Sequence, residues 1–217
     1  MTIHADHPFA DPEPERDPAR RLRGRLGGVV TLWTTGQGAG RAGLTVSSVI
    51  VAPGDPARVL GLLDPDSDLA ETLEETGTAV VQLLAWRHRD LADAFAGVTP
   101  APGGAFRLGT WTDTRWGPVL DGVSAWAGIR CDGPGTPVGW SRLVDGVLEH
   151  AELAPEDDQD TAGAPLVHRR GRYVRPAGRG SPSGRARPPG WAGTGTDCRE
   201  RDRQDHRDGG RRPPHVA

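Results

Sequence analysis

Small hydroxyl side chains are concentrated near the start of the chain, where Thr45, Ser47 and Ser48 lie within the stretch GLTVSSVIVAPGDP. Each hydroxyl can donate one hydrogen bond and accept two, and small side chains let a flat ligand approach the main chain. The corner at APGDP then ends the strand and frees backbone N–H groups. We interpret this stretch as a candidate cradle for a planar polar ligand, although a lone Ser or Thr in a strand more often faces solvent.

The residues just before this stretch spell G-x-G-x-x-G from Gly38 to Gly43, which is the outline of a dinucleotide-binding loop. That fingerprint requires a helix directly after the loop, because the N-terminal N–H groups of the helix hold the pyrophosphate. Here the β-branched run LTVSSVIV follows instead. The pattern therefore predicts a glycine-rich hairpin tip that joins two strands.

Strand-forming segments dominate the body of the chain and predict a mainly β fold with short helices. β-branched runs bounded by Gly and Pro predict strands near residues 28–34, 44–51, 58–63, 78–85, 118–120, 123–131 and 143–153. The dipeptide Asp121-Gly122 indicates a hairpin between two of these runs, and Asp145-Gly146 indicates a bulge or a tight turn inside the last.

Three short segments have helix signals. Residues 17–26 begin with Asp17 as a possible N-cap, although a solvated basic lead-in fits them equally well. Residues 67–77 begin with Ser67 as a possible N-cap and end at a glycine. Residues 88–97 carry apolar side chains at helical spacing. Basic side chains at Arg87, directly before this last segment, and at His88 and Arg89, at its start, either add charge to a ligand site or face solvent.

The two ends of the chain differ in composition from its body. Residues 1–16 are rich in Pro, Asp and Glu, and residues 174–217 contain no Leu, Ile or Phe, so we expect disordered tails around one domain at residues 17–173. The body carries 15 Arg and 20 acids, the C-terminal tail 10 Arg and 5 acids, and the whole chain a net charge of −3. Interspersed acids argue against nucleic-acid binding by the tail.

Other classes of function find little support in the composition. Cys131 and Cys198 have no metal-ligand neighbours at C-x-x-C spacing, so we expect neither a metal site nor a disulfide framework. There is no apolar run of the roughly 18 residues that a membrane span needs, and no signal peptide at the start, so we expect a soluble, cytoplasmic protein. Every basic residue is Arg and Asn is absent, a composition typical of GC-rich, actinobacteria-like genomes.

Taken in order, several segments resemble the flavin reductase family with the FMN-binding split-barrel fold. They are GVVTLWTT, the T-x-S-S strand, LADAFAG, TWTDTRWGPVL and PLVHRRGRY, and the resemblance covers roughly residues 24–173. It implies a Greek-key split β-barrel that forms a homodimer and binds FMN or FAD. It also implies that NADH or NADPH reduces the flavin, which in many relatives serves a partner monooxygenase.

The resemblance assigns flavin contacts residue by residue. The strand that meets the isoalloxazine ring corresponds to Thr45, Val46, Ser47 and Ser48. The segment near the ribityl chain and phosphate corresponds to Leu63, Asp64 and Ser67, and the element that closes over the phosphate corresponds to Phe95 and Ala96.

One departure from the family pattern concerns the nicotinamide side. Where relatives carry Gly-Asp-His, this chain reads Gly139-Trp140-Ser141, and a hydroxyl cannot supply the charge of an imidazole. Trp140 can instead stack on a ring or cover a barrel end, and His168 either supplies an imidazole or lies at the surface. No side chains form a catalytic triad, and none is expected, because in hydride transfer the cofactor carries the chemistry.

Three hypotheses about function remain open at this point. The first is an NAD(P)H-dependent flavin reductase. The alternative is a flavin-binding split-barrel protein that stores, senses or regulates and reduces poorly. The third is a related oxidase of the same superfamily that uses a deazaflavin.

Overall fold

The structure is a computed structural model and describes residues 17–155 and 164–175. The helices in these residues are α1 (Pro18–Leu26), α2 (Asp68–Thr76) and α3 (Arg89–Phe95). The strands are β1 (Gly28–Val29), β2 (Thr31–Thr35), β3 (Ala42–Val46), β4 (Val49–Ala52), β5 (Arg58–Leu63), β6 (Thr78–Leu83), β7 (Trp111–Thr114), β8 (Gly117–Leu120), β9 (Ala125–Cys131), β10 (Thr136–Val138), β11 (Ser141–Leu153), β12 (Val167–Arg169) and β13 (Arg172–Val174). The fold is therefore mainly β with short helices, as expected.

One antiparallel sheet organises the molecule, in the order β3-β2-β6-β9-β11-β5-β4, with β10 added beside β11. Its two outermost strands, β3 and β4, follow each other in the chain and are separated only by Ser47 and Ser48. They are two halves of one bent strand, of which the first half pairs with β2 and the second with β5. The sheet consequently curls round on itself like a barrel, and the bend lies where its ends meet.

The interior of the curled sheet is filled by apolar side chains from the alternating inward positions of its strands. Trp33, Val59, Leu63, Ile129 and Val144 are all at most 1% exposed. Helix α2 adds two further buried leucines and covers one end of this core. Burial of this kind, at roughly 25 cal/mol per Å² of apolar surface, is the main force that holds the curled sheet together.

A second apolar cluster lies outside the sheet, where α3 packs on β3. The apolar face of α3 meets Val30, Leu84 and Leu166 in this cluster. The amide of Val30 donates to the carbonyl of Leu166, and the amide of Leu166 donates to that of Leu84, both at 2.8 Å. The C-terminal segment 164–175 is thus held between β1 and the end of β6.

Several sequence predictions are confirmed by these elements. The strand at residues 58–63 has the predicted bounds. Ser67 caps α2, whose last turn ends at a glycine in the left-handed region. The carboxylate of Asp17 accepts the amide of Ala19 at 3.0 Å and caps α1. The G-x-G-x-x-G segment joins the paired strands β2 and β3, as a hairpin tip does.

Two predictions about turns are wrong. Asp121-Gly122 does not join paired strands, because β8 pairs back onto β7 and the amide of Asp121 donates to the carbonyl of Thr110 at 2.9 Å. Asp145-Gly146 is neither a bulge nor a turn, since both residues lie in the regular ladder between β11 and β5. The irregularity in β11 falls later, between Leu148 and His150.

The predicted tails and the acidic segment 156–163 lie outside the described residues, apart from residues 174 and 175. Strand β13 continues to Val174, one residue beyond the predicted end of the domain. In the described part of the chain, no helix is both long and apolar enough to cross a membrane.

Candidate functional site

The site begins at the bend between β3 and β4, where the chain leaves one ladder and enters the next. Val46 is the last residue of β3 to pair with β2, and Val49 is the first of β4 to pair with β5. The carbonyl of Ser48 accepts the amide of Leu62 at 3.0 Å, which fixes the bend against β5. The amide groups and hydroxyls of Ser47 and Ser48 form no hydrogen bond within the described residues and are therefore available to a ligand.

Small residues at this bend follow from its geometry. A regular strand would continue to alternate its side chains between core and solvent, but a strand that changes partners must break its ladder. Val46 is buried in the core, whereas Ser47 and Ser48 are half-buried. Two short polar side chains thus leave the main chain accessible where its donors are unpaired. The sequence predicts a cradle for a planar ligand at these residues.

Two other segments border the bend because of strand register. Arg142 pairs with Leu63 across β11 and β5, so Ser141 lies beside the turn that begins at Asp64. On the other side, β1 passes so close that a Cβ built on Gly28 would lie 2.4 Å from the carbonyl oxygen of Ser47. The bend, the end of β5, the start of β11 and β1 therefore form one rim.

The segment assigned to the flavin phosphate is folded as a helix cap. The hydroxyl of Ser67 donates to the carbonyl of Asp64 at 2.7 Å and accepts the amide of Ala70 at 3.3 Å. Two acids, Asp68 and Glu71, lie in the first turn of α2 and already complement the positive end of its dipole. Ser67 thus serves as an N-cap here, and a phosphate at this position would meet these carboxylates.

The side chain of Leu63 is 1% exposed and belongs to the core, as does that of Val46. Each can meet a ligand only through its backbone. Asp64 is exposed, and its carboxylate accepts the amide of Asp66 at 3.0 Å.

Thr45 and the end of α3 lie on the outer side of β3. The hydroxyl of Thr45 donates to the carbonyl of Ala92 at 2.7 Å and so fastens α3 to the strand. The ring of Phe95 lies over Gly43 and is 6% exposed; a Cβ on Gly43 would stand 2.7 Å from it. Because β3 rises about 3.3 Å per residue, Phe95 and the exposed Ala96 lie roughly 13 Å along the strand from Ser47. The structure does not bring Phe95 to the bend.

The ring of Phe95 also makes edge contacts with Phe106 and Trp111, whose centroids lie 4.9 and 5.8 Å away. It is therefore a core side chain of the outer cluster.

Trp140 and Ser141, which correspond to the nicotinamide side in the family, differ in exposure. Trp140 is 84% exposed at the tip between β10 and β11, and the guanidinium carbon of Arg20 lies 5.9 Å from its ring centroid. Ser141 is half-buried, and its hydroxyl forms no hydrogen bond in the described part of the chain.

His168 lies on β12 opposite Gly28 and makes an edge contact with Tyr173. Burial lowers the pKa of His168, and the charge of Arg23 lowers it further, so the imidazole is predominantly neutral at pH 7. Burial and a hydrogen bond to Asp93 raise the pKa of the Tyr173 hydroxyl.

The basic residues at the start of α3, Arg87, His88 and Arg89, lie apart from the bend. Arg87 donates to the carbonyl of Gly122, and Arg89 forms an ion pair with Asp90 at 3.5 Å. Arg87 and His88 border an open cavity of about 390 Å³ between the start of α3 and the β7–β8 hairpin. These contacts hold the structure together, and the cavity does not include the bend.

Sequence reasoning missed Gly28, whose close approach positions Ser47. The only available signal was the Gly27-Gly28 pair directly before a strand, which reads equally well as the end of a helix. No group of His, Cys, Asp and Glu side chains suited to a metal ion occurs among the described residues.

Residues 23–177 match the family model described as "Flavin reductase like domain". The chain is 33% identical over 124 residues to the FMN reductase (NADH) RutF of Serratia proteamaculans, a match that covers 57% of this chain and 70% of that protein. It is 29% identical to the 4-hydroxyphenylacetate 3-monooxygenase reductase component of Pseudomonas aeruginosa, over 52% of this chain and 68% of that protein.

Among solved structures, the chain resembles the NADH:FAD oxidoreductase SgcE6 of Streptomyces globisporus C-1027. The TM-score is 0.65 at 22% identity, and the match covers 77% of this chain and 99% of the other. This likeness confirms the expected split-barrel fold. The names of the Serratia and Streptomyces proteins describe oxidoreductases that use NADH with FMN or FAD, which are the activity and cofactors expected from the sequence. On the match of residues 23–177, the chain belongs to the flavin reductase-like domain family.

Proposed function

We propose that the protein is an NAD(P)H-dependent flavin reductase that binds FMN or FAD at the Ser47–Ser48 bend. The observation that carries this proposal is the pair of serines whose amides and hydroxyls are unused at a half-buried break in the sheet. Membership of the flavin reductase-like domain family supports the same assignment.

The residues at the bend fit the polar edge of a flavin. Amide N–H groups of Ser47 and Ser48 would stabilise negative charge at the N1–C2 edge of the ring, and fixed donors of this kind need little reorganisation during reaction. The hydroxyls can donate to or accept from the neighbouring ring atoms. The backbone of Leu63 to Ser67 would border the ribityl chain, as the resemblance implies.

A bound flavin would supply the capacity to accept a hydride, so the chain itself need not carry that chemistry. The chain contributes binding, orientation and exclusion of water. Rigid support comes from the Gly28 contact on one side of the bend and the bond between Leu62 and Ser48 on the other. Proton transfer at Ser141 is not required for this role, which is consistent with a hydroxyl in place of an imidazole.

The direct experiment is to add FMN or FAD to the purified protein and follow NADH and NADPH oxidation by the loss of absorbance at the nicotinamide band. Oxidation that depends on added flavin supports the reductase. Flavin binding by the purified protein also tests the second function, that of a protein that stores or senses flavin. A specific observation favours that function, namely Ser141 at the position of the family histidine. Tight flavin binding without turnover would establish it in place of the reductase.

A homodimer is part of the proposal. Strand β4 pairs only with β5 in the described residues and exposes Ile50 and Val51 by 68% and 60%, beside Leu62, which is 38% exposed. Exposed apolar side chains on an edge strand favour pairing with a second copy. Size-exclusion chromatography with light scattering measures the mass in solution. Twice the chain mass of 23.0 kDa supports the dimer, and a mass equal to that of one chain contradicts it.

Supply of reduced flavin to a monooxygenase is the wider role that we propose. The name of the Pseudomonas aeruginosa relative describes a reductase component of such a system. The test is whether the protein with NADH sustains a flavin-dependent monooxygenase that has no reductase of its own.

A further inference from the structure

The surface formed by α1 and the β12–β13 hairpin is strongly basic. Residues 17–29 and 164–175 contain a single carboxylate, Asp17, and eight exposed arginines: Arg20, Arg21, Arg23, Arg25, Arg169, Arg170, Arg172 and Arg175. We call this surface the arginine face. The amide of Arg170 donates to the carbonyl of Gly24 at 2.8 Å, so the helix and the hairpin lie against each other.

Positive charge on the arginine face is not neutralised within the described residues. All of its arginines except Arg20 lack an ion pair with any described carboxylate. One further acid, Asp93, accepts a hydrogen bond from Tyr173 of the hairpin. Elsewhere in the described chain, by contrast, Arg58, Arg115 and Arg130 each pair with an acid.

Two features of the β12–β13 hairpin are destabilising. Arg169 pairs directly with Arg172 across the two strands, and like charges in this position repel. Arg170 adopts a φ of 52°, a backbone conformation that costs free energy in any residue with a side chain. An anion bound at this hairpin would relieve the repulsion between Arg169 and Arg172.

The arginine face borders the flavin cradle. His168 of the hairpin pairs with Gly28, and Gly28 in turn touches Ser47 at the bend. The 84% exposed ring of Trp140 lies near Arg20 of α1, with 5.9 Å between the ring centroid and the guanidinium carbon. A ligand that extends from the bend along β1 and α1 would meet the arginine face and Trp140.

We propose that the arginine face binds the phosphate groups of the pyridine dinucleotide while Trp140 stacks on its adenine ring. Arginine is suited to bind phosphate through two parallel hydrogen bonds, and indole faces stack readily on nucleobases. The first turn of α2 carries Asp68 and Glu71, so the arginine face is the more favourable site for phosphate on this rim. The inference rests on the proposed function.

The positive charge of the eight arginines exceeds the negative charge of a pyrophosphate. A 2′-phosphate adds between one and two negative charges at pH 7. NADPH therefore gains more from this surface than NADH, and the chain prefers NADPH.

The test combines a binding assay with kinetics on the full chain. The variant Arg169→Ser with Arg172→Ser removes half of the hairpin charge and relieves the repulsion, so it folds at least as stably as the parent. The control is Arg107→Ala, an exposed arginine outside the arginine face. Calorimetry measures the binding of adenosine 2′,5′-bisphosphate without flavin, and steady-state rates give KM for NADPH and NADH.

We expect the double variant to bind adenosine 2′,5′-bisphosphate at least tenfold more weakly and to raise KM for NADPH more than KM for NADH. The Kd for FMN stays within twofold of the parent value. The control variant leaves bisphosphate binding and both KM values unchanged. Unchanged binding of the bisphosphate, an equal loss of FMN affinity, or binding of a single-stranded oligonucleotide in preference to the bisphosphate would overturn the inference. If the parent protein reduces FMN while the double variant has an unaltered KM, only this inference fails. If the parent reduces no flavin with either nucleotide, the proposed function fails with it.

Discussion

Gly28 and Ser47 are in such close contact that any side chain at residue 28 would collide with the carbonyl oxygen of Ser47. Because a trans peptide is planar, the position of that carbonyl also sets the direction of the Ser48 N–H, which points the opposite way. The contact therefore aims an unpaired donor away from β1 and toward the open side of the bend. A glycine that sequence reasoning passed over thus orients the candidate flavin site.

Gly28→Ala tests this relationship. The methyl group forces the Ser47 carbonyl to move, so we expect the FMN Kd to rise at least fivefold and the free energy of unfolding to fall by about 1–3 kcal/mol, as for other overpacked sites. Flavin fluorescence titration and urea denaturation measure the two effects. The matched control is Gly40→Ala, because a Cβ at Gly40 meets nothing within 4 Å. Unaltered FMN affinity in the Gly28 variant would show that the contact does not orient the donor.

Substitutions at Ser48 separate the roles of bulk and hydroxyl. Ser48→Leu covers the main chain at the bend, so we expect it to abolish flavin binding while the melting temperature of the protein without flavin changes little. Ser48→Ala keeps the space and removes one hydrogen-bonding group, so a several-fold rise in the FMN Kd is expected, or about 1 kcal/mol. Equal losses of flavin binding and of thermal stability in the Leu variant would mean that the serine is structural.

Thr45→Val tests the attachment of α3. The substitution removes the hydroxyl that donates to the Ala92 carbonyl but preserves side-chain shape, so we expect a loss of about 1 kcal/mol in unfolding free energy. FMN affinity should change less than in the Ser48 variants, since this hydroxyl is already engaged with α3. Urea denaturation and flavin titration on the same preparation provide the comparison. A large loss of FMN affinity with unchanged stability would assign Thr45 to the flavin instead.

His88 predicts a pH dependence of stability. Its Nδ1 accepts the amide of Ala85 at 3.1 Å, and burial, followed by the charge of Arg87, lowers the pKa of His88 to about 4. The unfolded chain therefore binds a proton at this residue between pH 6.5 and about 4 while the folded chain does not, so stability falls as the pH is lowered through this window.

Urea midpoints at pH 7, 6, 5 and 4.5 measure this slope in the parent protein and in His88→Gln. Acids with lowered pKa values, such as Asp132 beside Arg58, add a slope of the same sign to both proteins. The difference between the two curves isolates His88, and parallel curves would contradict the assignment.

Signals that act between neighbouring residues predicted some elements correctly, but they failed where a more distant contact decided the structure. The strand at 58–63 and the helix beginning after Ser67 were predictable because flanking Gly and Pro residues, an N-cap and a terminal glycine act within a few residues. The hairpin signal at Asp121-Gly122 failed because a longer-range partner prevailed. The side chain of Asp121 accepts the hydroxyl of Thr112 at 2.9 Å, which ties β8 back to β7.

The candidate site was predictable in composition but not in geometry. Hydroxyl residues at the end of an apolar strand indicated the cradle, yet only the sheet order shows that the strand changes partners at Ser47. Leu63 and Phe95 match family positions in sequence, but their side chains are buried among core neighbours. The arginine face could not be predicted from the sequence either, because its two halves are about 145 residues apart in the chain and adjacent only in the fold.

The most direct measurement of the central claim is a fluorescence titration of FMN with the protein, repeated with Ser48→Leu. Flavin binding at the bend predicts fluorescence quenching that saturates with the parent protein and vanishes with the variant. A parent protein that leaves the FMN spectrum unchanged, or a variant that binds FMN as tightly as the parent, would contradict it.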